Sequence, residues 1–261
     1  MRNLYITGDI HGEFESLVFY ITSKYELKNS DIIVAGDVGL GFHKLNYYIQ
    51  IFTKISKKLI KNNNHIYFVR GNHDDPKYYH NTPEELCKFS NIHIIDDYTI
   101  LSFGDKNVLC VGGATSLDKM YRKPGIDWWA GENVNDIPED LDYTIHQVTH
   151  VVTHTAPSIV FPDNSSVYTT DPIIIENNNK DREKLTDLYI KLIQSANIKC
   201  WYHGHYHMSN ECNVPNVIYD NEIPMFKTAY FDNDKDTYDG KYCKFICLNM
   251  LMNDIDIIKV V

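Results

Sequence analysis

At 261 residues and 43% hydrophobic content, the chain can bury one substantial core, and no apolar run approaches the ~18 residues of a membrane span. Its net charge of −10 argues against broad electrostatic capture of nucleic acid, which needs a basic face, but leaves nucleotide substrates open because bound dications can dominate a site's field. The six cysteines (Cys87, Cys110, Cys200, Cys212, Cys243 and Cys247) form no CxxC pair and no zinc-ribbon spacing, so reduced, mostly buried thiols are expected.

The N-terminal residues pass straight into a strand-like run, Leu4 to Thr7, which leaves no room for a signal peptide and makes a cytoplasmic protein the expectation. Phe14, Leu17, Val18, Ile21 and Tyr25 then recur at helical spacing, a core-facing stripe. A strand is expected over Asp31 to Ala35, followed by a second helical stripe of Ile49, Phe52, Ile55, Leu59 and Ile60. Asn62 to Asn64 reads as a loop leading to a strand at His65 to Val69. Further strands are expected at Val108 to Val111 and His150 to Thr153; their continuous apolar character suits strands buried on both faces.

The polar segment Pro157 to Lys180 reads as a loop able to restrict substrate, with Asn177 to Asn179 a loop tract inside it. Leu185, Leu188, Tyr189, Leu192 and Ile193 form a third helical stripe, before a strand at Lys199 to Tyr202. Three last strands are expected at Met225 to Phe231, Lys244 to Met250 and Ile255 to Val260, the first two separated by the Asp-rich stretch Asp232 to Gly240. They read as a meander that completes a second sheet within one domain spanning 1–261.

Chemistry concentrates where strands end. The first strand runs into Gly8-Asp9-Ile10-His11-Gly12, the second into Gly36-Asp37, and the third into Arg70-Gly71-Asn72-His73-Asp74. The fifth ends in His154 and the sixth in His203-Gly204-His205-Tyr206-His207. In open α/β sheets ligands collect beyond the carboxyl ends of strands, so five such ends delivering Asp, Asn and His to one edge predict a metal site. Oxygen and imidazole donors without cysteine suit hard or borderline divalent ions, and a shared carboxylate can bridge two. Each motif alone is weak: an Asp-x-His is often a turn with a surface histidine. Their joint order is the signal. His150 lies too far along its strand from His154 to share an ion, since four residues of strand span ~13 Å. His203 is at best a neighbour of the ligands, and nothing further supports His43.

Gly-Asp-x-His-Gly, Gly-Asp, Gly-Asn-His-Asp, a lone His and Gly-His-x-His together resemble the calcineurin-like metallophosphoesterase superfamily, of the bacterial and phage type, over Gly8 to His207. The resemblance implies an α/β fold, a two-sheet β-sandwich flanked by helices. It implies that Asp9, His11 and His207 hold one metal, that Asn72, His154 and His205 hold another, and that Asp37 bridges them. The implied cofactors are two divalent ions, with manganese expected first and iron, zinc, nickel or magnesium as alternatives. Such a pair, ~3.5–4 Å apart, supplies a bridging hydroxide for in-line attack on a phosphate ester. His73 resembles the family's catalytic histidine, with Asp74 expected to orient it and Asp75 an ordinary solvated residue or cap.

Arg70 stands where the family's protein phosphatases carry a phosphate-gripping arginine, with a structural salt bridge as the equal alternative. In the stretch Gly112 to Glu132, which also resembles a segment of bacterial and phage relatives, Arg122 is a second candidate for substrate phosphate. Trp128 and Trp129 there either wall the pocket or anchor a loop.

Two departures limit the reading. The second block, Gly36-Asp37-Val38-Gly39-Leu40-Gly41, lacks the Asp-Arg pair of the superfamily's protein phosphatases, and the fourth reads Thr153-His154-Thr155 rather than His-Gly-Gly. The expected function is a metal-dependent phosphoric ester hydrolase, a phosphatase first. The alternatives are a phosphodiesterase for cyclic nucleotides or dinucleotides and a catalytically silent scaffold of the same fold. The expected partner is a phosphate-ester substrate (phosphoprotein, nucleotide or small molecule), with no membrane and no extended nucleic acid; the oligomeric state is open.

Overall fold

The structure is a computed structural model and describes residues 2–160, 169–215, 242–251 and 257–260. Two sheets pack face to face. In the first, β1 (Asn3–Thr7), β2 (Ser30–Val34), β3 (His65–Phe68) and β4 (Ile92–Ile94) run parallel in that order, and β11 (Ile257–Lys259) pairs antiparallel with the free edge of β1. At the centre of the second, β6 (Lys106–Val111), β7 (His150–Thr153), β8 (Cys200–His203) and β10 (Tyr242–Cys247) lie side by side and parallel. Its edges are antiparallel: β5 (Thr99–Phe103) beside β6, and β9 (Asn210–Pro215) beside β10.

The layers follow from where the apolar side chains go. Leu4, Ile6, Ile33, Val69, Val108, Cys110, Val152, Tyr202 and Ile246 interleave between the sheets. On the outer face of the first sheet lie α1 (Phe14–Phe19) and α2 (Leu45–Lys61), whose Phe14, Leu17, Val18, Phe52, Ile55 and Leu59 meet Ile32, Val34, Ile66 and Phe68. On the outer face of the second lies the helix Pro172–Ser195, which packs Leu185, Leu188, Tyr189 and Leu192 on Trp201 and Phe245. Strands covered on both faces must be apolar throughout, which is why all five residues of β2 are buried. The short helices α3 (Lys77–His80) and α4 (Glu84–Cys87) fill the connection to β4, so Pro172–Ser195 is α5.

The structure corrects four details. The C-terminal strands are no meander of one sheet: β10 lies parallel to β8 in the second sheet, while β11 crosses to the first. Strand patterning identifies a strand but not its partner, and parallel pairing requires a crossover. Asn177 to Asn179 lie inside α5, not in a loop. Asp171 caps that helix by accepting from the Ile173 N–H at 2.9 Å, and Pro172 occupies its first turn, so the helix starts early despite the asparagines. After α1 the chain continues as a π-turn over Tyr20–Lys24, leaving Tyr25 outside the core. Ile60 likewise faces solvent on α2. The expected strand at 225–231 and the Asp-rich stretch 232–240 lie outside the described residues, as do 161–168 of the expected loop.

Candidate metal centre

The carboxyl ends of β1, β2, β3, β7 and β8 meet at one edge of the sandwich. Ligand-bearing oxygen and nitrogen atoms of Asp9, His11, Asp37 and His207 all lie within 4.8 Å of one another. His207 Nε2 is 3.1 Å from Asp9 Oδ2 and 3.3 Å from His11 Nε2. On the other side of Asp37, His154 Nε2 is 3.2 Å from Asp37 Oδ1 and 2.8 Å from Asn72 Oδ1. The His205 ring lies edge-on to that of His154, their centroids 5.1 Å apart. The seven residues expected from the sequence thus lie at one strand edge, with the Asp37 carboxylate between Asp9, His11 and His207 on one side and Asn72 and His154 on the other.

Local backbone geometry makes this convergence possible. Eight described non-glycine residues have positive φ, and four of them are His11, Asp37, His205 and His207. Strained conformations of that kind persist only where the surroundings hold them, and they gather at functional sites. Gly36, at φ +96°, leaves room for the His154 ring: a Cβ there would sit 2.1 Å from His154 Nδ1. Gly204 does the same for Asp9, whose Oδ1 would be 2.1 Å from a Cβ.

The donor set fits divalent metal. His205 Nε2 is buried with no hydrogen-bond partner among the described residues, aimed among histidines and Asp37, and its burial with His154 nearby drives its pKa well below the usual histidine range. A neutral imidazole nitrogen with a free lone pair is what a metal requires. Burial opposes ionisation of Asp37, yet His154, His73 and His11 hold its carboxyl well below the usual carboxylate range. Burial would lower His154, but Asp37 raises it to about 9. His154 Nδ1 faces the Ala35 carbonyl at 2.9 Å, which fixes that nitrogen as the donor and turns Nε2 toward the site.

The remaining candidates divide. The His73 backbone N–H donates to Asp37 Oδ1 at 2.8 Å, and its ring lies beside the cluster, 5.7 Å from the His11 ring. Its Nδ1 faces the Asp127 carbonyl at 3.3 Å, and Arg122 Nη2 approaches Nε2 at 3.3 Å. Arg122 is only partly buried and is carried by Asp118, which accepts from both Nε and Nη2. Asp74 does not orient His73. Its buried carboxylate accepts the backbone N–H groups of Gly71 (2.7 Å), Val38 (3.1 Å), Gly39 (2.7 Å) and Leu40 (2.8 Å), fixing the loop that follows Asp37. The sequence missed the Asp127 carbonyl in that orienting place, because a backbone oxygen carries no residue signature.

Arg70 is likewise turned away from the cluster. Fully buried, it donates to Asp97 Oδ2 from Nε (3.2 Å) and Nη2 (2.7 Å), and to the carbonyls of Gly131 (3.1 Å), Glu132 (2.9 Å) and Asn133 (3.0 Å). All five guanidinium N–H groups are thereby spent. The salt-bridge alternative holds for Arg70, and a phosphate grip does not. Asp75 is buried and pairs with Lys77 rather than lying in solvent. His150 and His203 are buried, and burial pushes each down to about 4. Trp129 stacks near Phe42, their rings 6.2 Å apart, while Trp128 carries the Lys119 ammonium over its face at 4.1 Å.

The calcineurin-like phosphoesterase family profile matches residues 2–209 of this chain, which takes in every strand end just described. The chain belongs to the calcineurin-like phosphoesterase family. Membership makes it a metal-dependent phosphoesterase of a dinuclear family acting on phosphate esters. Among solved structures, the protein TT1561 of Thermus thermophilus is similar over 100% of this chain and 99% of its own, with a TM-score of 0.51 at 10% identity. That likeness is one of fold alone. A dimetal phosphatase from Danio rerio aligns over 96% of this chain and 88% of its own, with a TM-score of 0.48 and 12% identity. No curated protein matches the chain. Among the described residues no helix is long and apolar enough to cross a membrane.

Proposed function

We propose that this phosphoesterase is a phosphatase working with two divalent ions, one held by Asp9, His11 and His207, the other by Asn72, His154 and His205, with Asp37 shared. Manganese is the first choice of ion; iron, zinc, nickel and magnesium are the alternatives. When bound, such a pair lowers the pKa of water and neutralises phosphoryl charge. The observation that carries the reading is the Asp37 carboxylate, with His154 Nε2 3.2 Å from one oxygen and His11 Nε2 3.9 Å from the other. His73 and Arg122 stand together on the open side of that carboxylate.

The chain's own groups then divide the work. Asp37 receives the His73 backbone N–H, which locks the histidine against the cluster. With Nδ1–H directed at Asp127, His73 points Nε2 at Arg122 Nη2, and once Arg122 moves to the substrate that nitrogen carries a proton to the leaving oxygen. Arg122, partly exposed and held by Asp118 beside His73, turns its guanidinium onto a phosphoryl oxygen, where a planar donor pair suits the geometry. We take the whole chain, 1–261, as one such domain, working in the cytoplasm.

One observation favours the diesterase alternative. A cavity of about 640 Å³ lies beside the stacked Phe42 and Trp129, with His43, Lys44, Tyr78 and Ile126 also on its walls. It shares the 125–129 loop with the Asp127 carbonyl that touches His73. A leaving group as large as a nucleoside fits that space. The discriminating experiment is a substrate panel on Mn²⁺-reconstituted protein: phosphopeptides, nucleotides, cyclic nucleotides, an aryl phosphate and a bis-aryl phosphodiester. Monoester turnover well above diester turnover supports the phosphatase. The reverse order makes the chain a diesterase, and stoichiometric metal without hydrolysis of any ester makes it a scaffold.

A further inference from the structure

We infer that Glu132 is a positioning residue that decides which atom of Asn72 faces the metal centre, acting through Ser116. This rests on the proposed ligand role of Asn72. The Asn72 side-chain amide has two nearly isosteric ends, and only the oxygen can ligate a cation. Its Nδ2 donates to Ser116 Oγ at 3.0 Å, and Ser116 Oγ in turn donates to Glu132 Oε2. All three residues are almost wholly buried, so solvent offers no substitute partner.

The direction of this chain is fixed from its far end. Burial raises the Glu132 carboxyl above its ordinary value, opposed by the Ser116 hydroxyl and Lys119; in its ionised form it has only acceptor positions, and a serine hydroxyl has one proton. Once that proton is given to Glu132, Ser116 Oγ can only accept, and Asn72 must present its NH₂ group there. The amide oxygen is then left facing His154 and Asp37. The flipped amide would set a lone pair against a lone pair at Ser116 and an NH₂ group against the metal.

Glu132 is itself held in place. Its carbonyl accepts the Ala114 N–H at 3.0 Å and Arg70 Nη1 at 2.9 Å, and Arg70 also takes the carbonyls on either side. Asn133 and Val134, next in the chain, donate to Asp181 on α5 at 2.9 and 3.1 Å. The arginine that the motif placed at substrate phosphate thus anchors the segment that orients a ligand.

The test is a calorimetric titration of metal-free protein with Mn²⁺, comparing wild type, Glu132→Gln, Asn72→Asp and the double variant, each checked for folding by circular dichroism. Glutamine keeps the shape of Glu132 but removes the charge that drew the Ser116 proton and offers an NH₂ group that drives the chain in the reverse direction. In Glu132→Gln one of the two Mn²⁺ sites weakens by ~10–100-fold while the other is unchanged. Asn72→Asp removes the amide's asymmetry and leaves two carboxylates competing for one serine proton. Adding Glu132→Gln to it supplies the missing donor, so the glutamine now strengthens that site instead of weakening it. Equal losses in both backgrounds, or an unchanged affinity in folded Glu132→Gln, overturn the inference. Fewer than two Mn²⁺ ions on wild type overturn the ligand reading itself, and the positioning role with it.

Discussion

The two proposed ligand sets that meet at Asp37 are built differently. Asp9 is buried and accepts the His205 backbone N–H, but His207 and His11 are partly exposed, and their ring nitrogens face each other, Asp9 and Asp37. Asn72 and His154 are fully buried, and each is tied outward to the protein, Asn72 to Ser116 and His154 to the Ala35 carbonyl. A ligand fixed from behind keeps its geometry whether or not a cation is present. One that leans on other ligands loses its charge balance when the cation leaves. The comparison therefore predicts a preformed inner side and an adaptable outer side, joined by one carboxylate.

The largest effects belong to the junction. Asp37→Asn removes the charge both sets share, and turnover falls by on the order of 10³-fold with the fold retained. His73→Ala leaves both sets intact and lowers kcat by ~10²–10⁴-fold. Wild-type turnover by either purified, folded variant breaks the assignment.

Next come the two arginines, which separate structure from chemistry. Arg70→Lys leaves Asp97 and three carbonyls without their fork, so stability measured by urea unfolding falls by ~3 kcal/mol. The KM for an aryl phosphate stays within about twofold in the protein that remains folded. Arg122→Ala does the opposite: its half-exposed pair with Asp118 contributes at most ~1 kcal/mol to stability, while kcat/KM falls by ~10–100-fold. An unchanged unfolding midpoint for Arg70→Lys, paired with a raised KM, would return that residue to the phosphate.

A pH-confined effect separates acid loss of the fold from acid loss of the site. Burial holds His150 at about 4, below the ordinary 6.5, so the unfolded chain takes up the proton first as pH falls. Its contribution is complete above pH 6.5 and is lost as pH falls from there toward about 4, ~3 kcal/mol in all. His150→Gln flattens the stability profile across that window. If unfolding free energy falls as steeply in the variant, His150 is not the group responsible.

Much of this was legible in the sequence, for a physical reason. A ligand set delivered by strand ends places each motif directly after an apolar run, so pattern and chemistry lie within a few residues of each other. That is why the seven proposed ligands and His73, which the structure brings to one edge, could be picked out from Gly-Asp-x-His, Gly-Asp, Gly-Asn-His-Asp, a lone His and Gly-His-x-His. What failed depended on distant partners. Arg70 sits inside the motif, but its guanidinium is turned by Asp97, 27 residues on, and by carbonyls more than 60 residues on. Asp74 follows His73 in sequence yet points back to the Asp37 loop. Tertiary context also made a helix of Asn177 to Asn179, and it sent β11 to the first sheet, where the free edge of β1 offered unpaired backbone groups.

The central claim is that two ions, joined by Asp37, are needed together. Stepwise Mn²⁺ addition to metal-free protein, with bound metal and aryl phosphate hydrolysis measured on the same samples, tests it most directly. Hydrolysis that stays near background through the first equivalent and rises with the second is the predicted result. Full turnover by protein carrying one ion or none would contradict it.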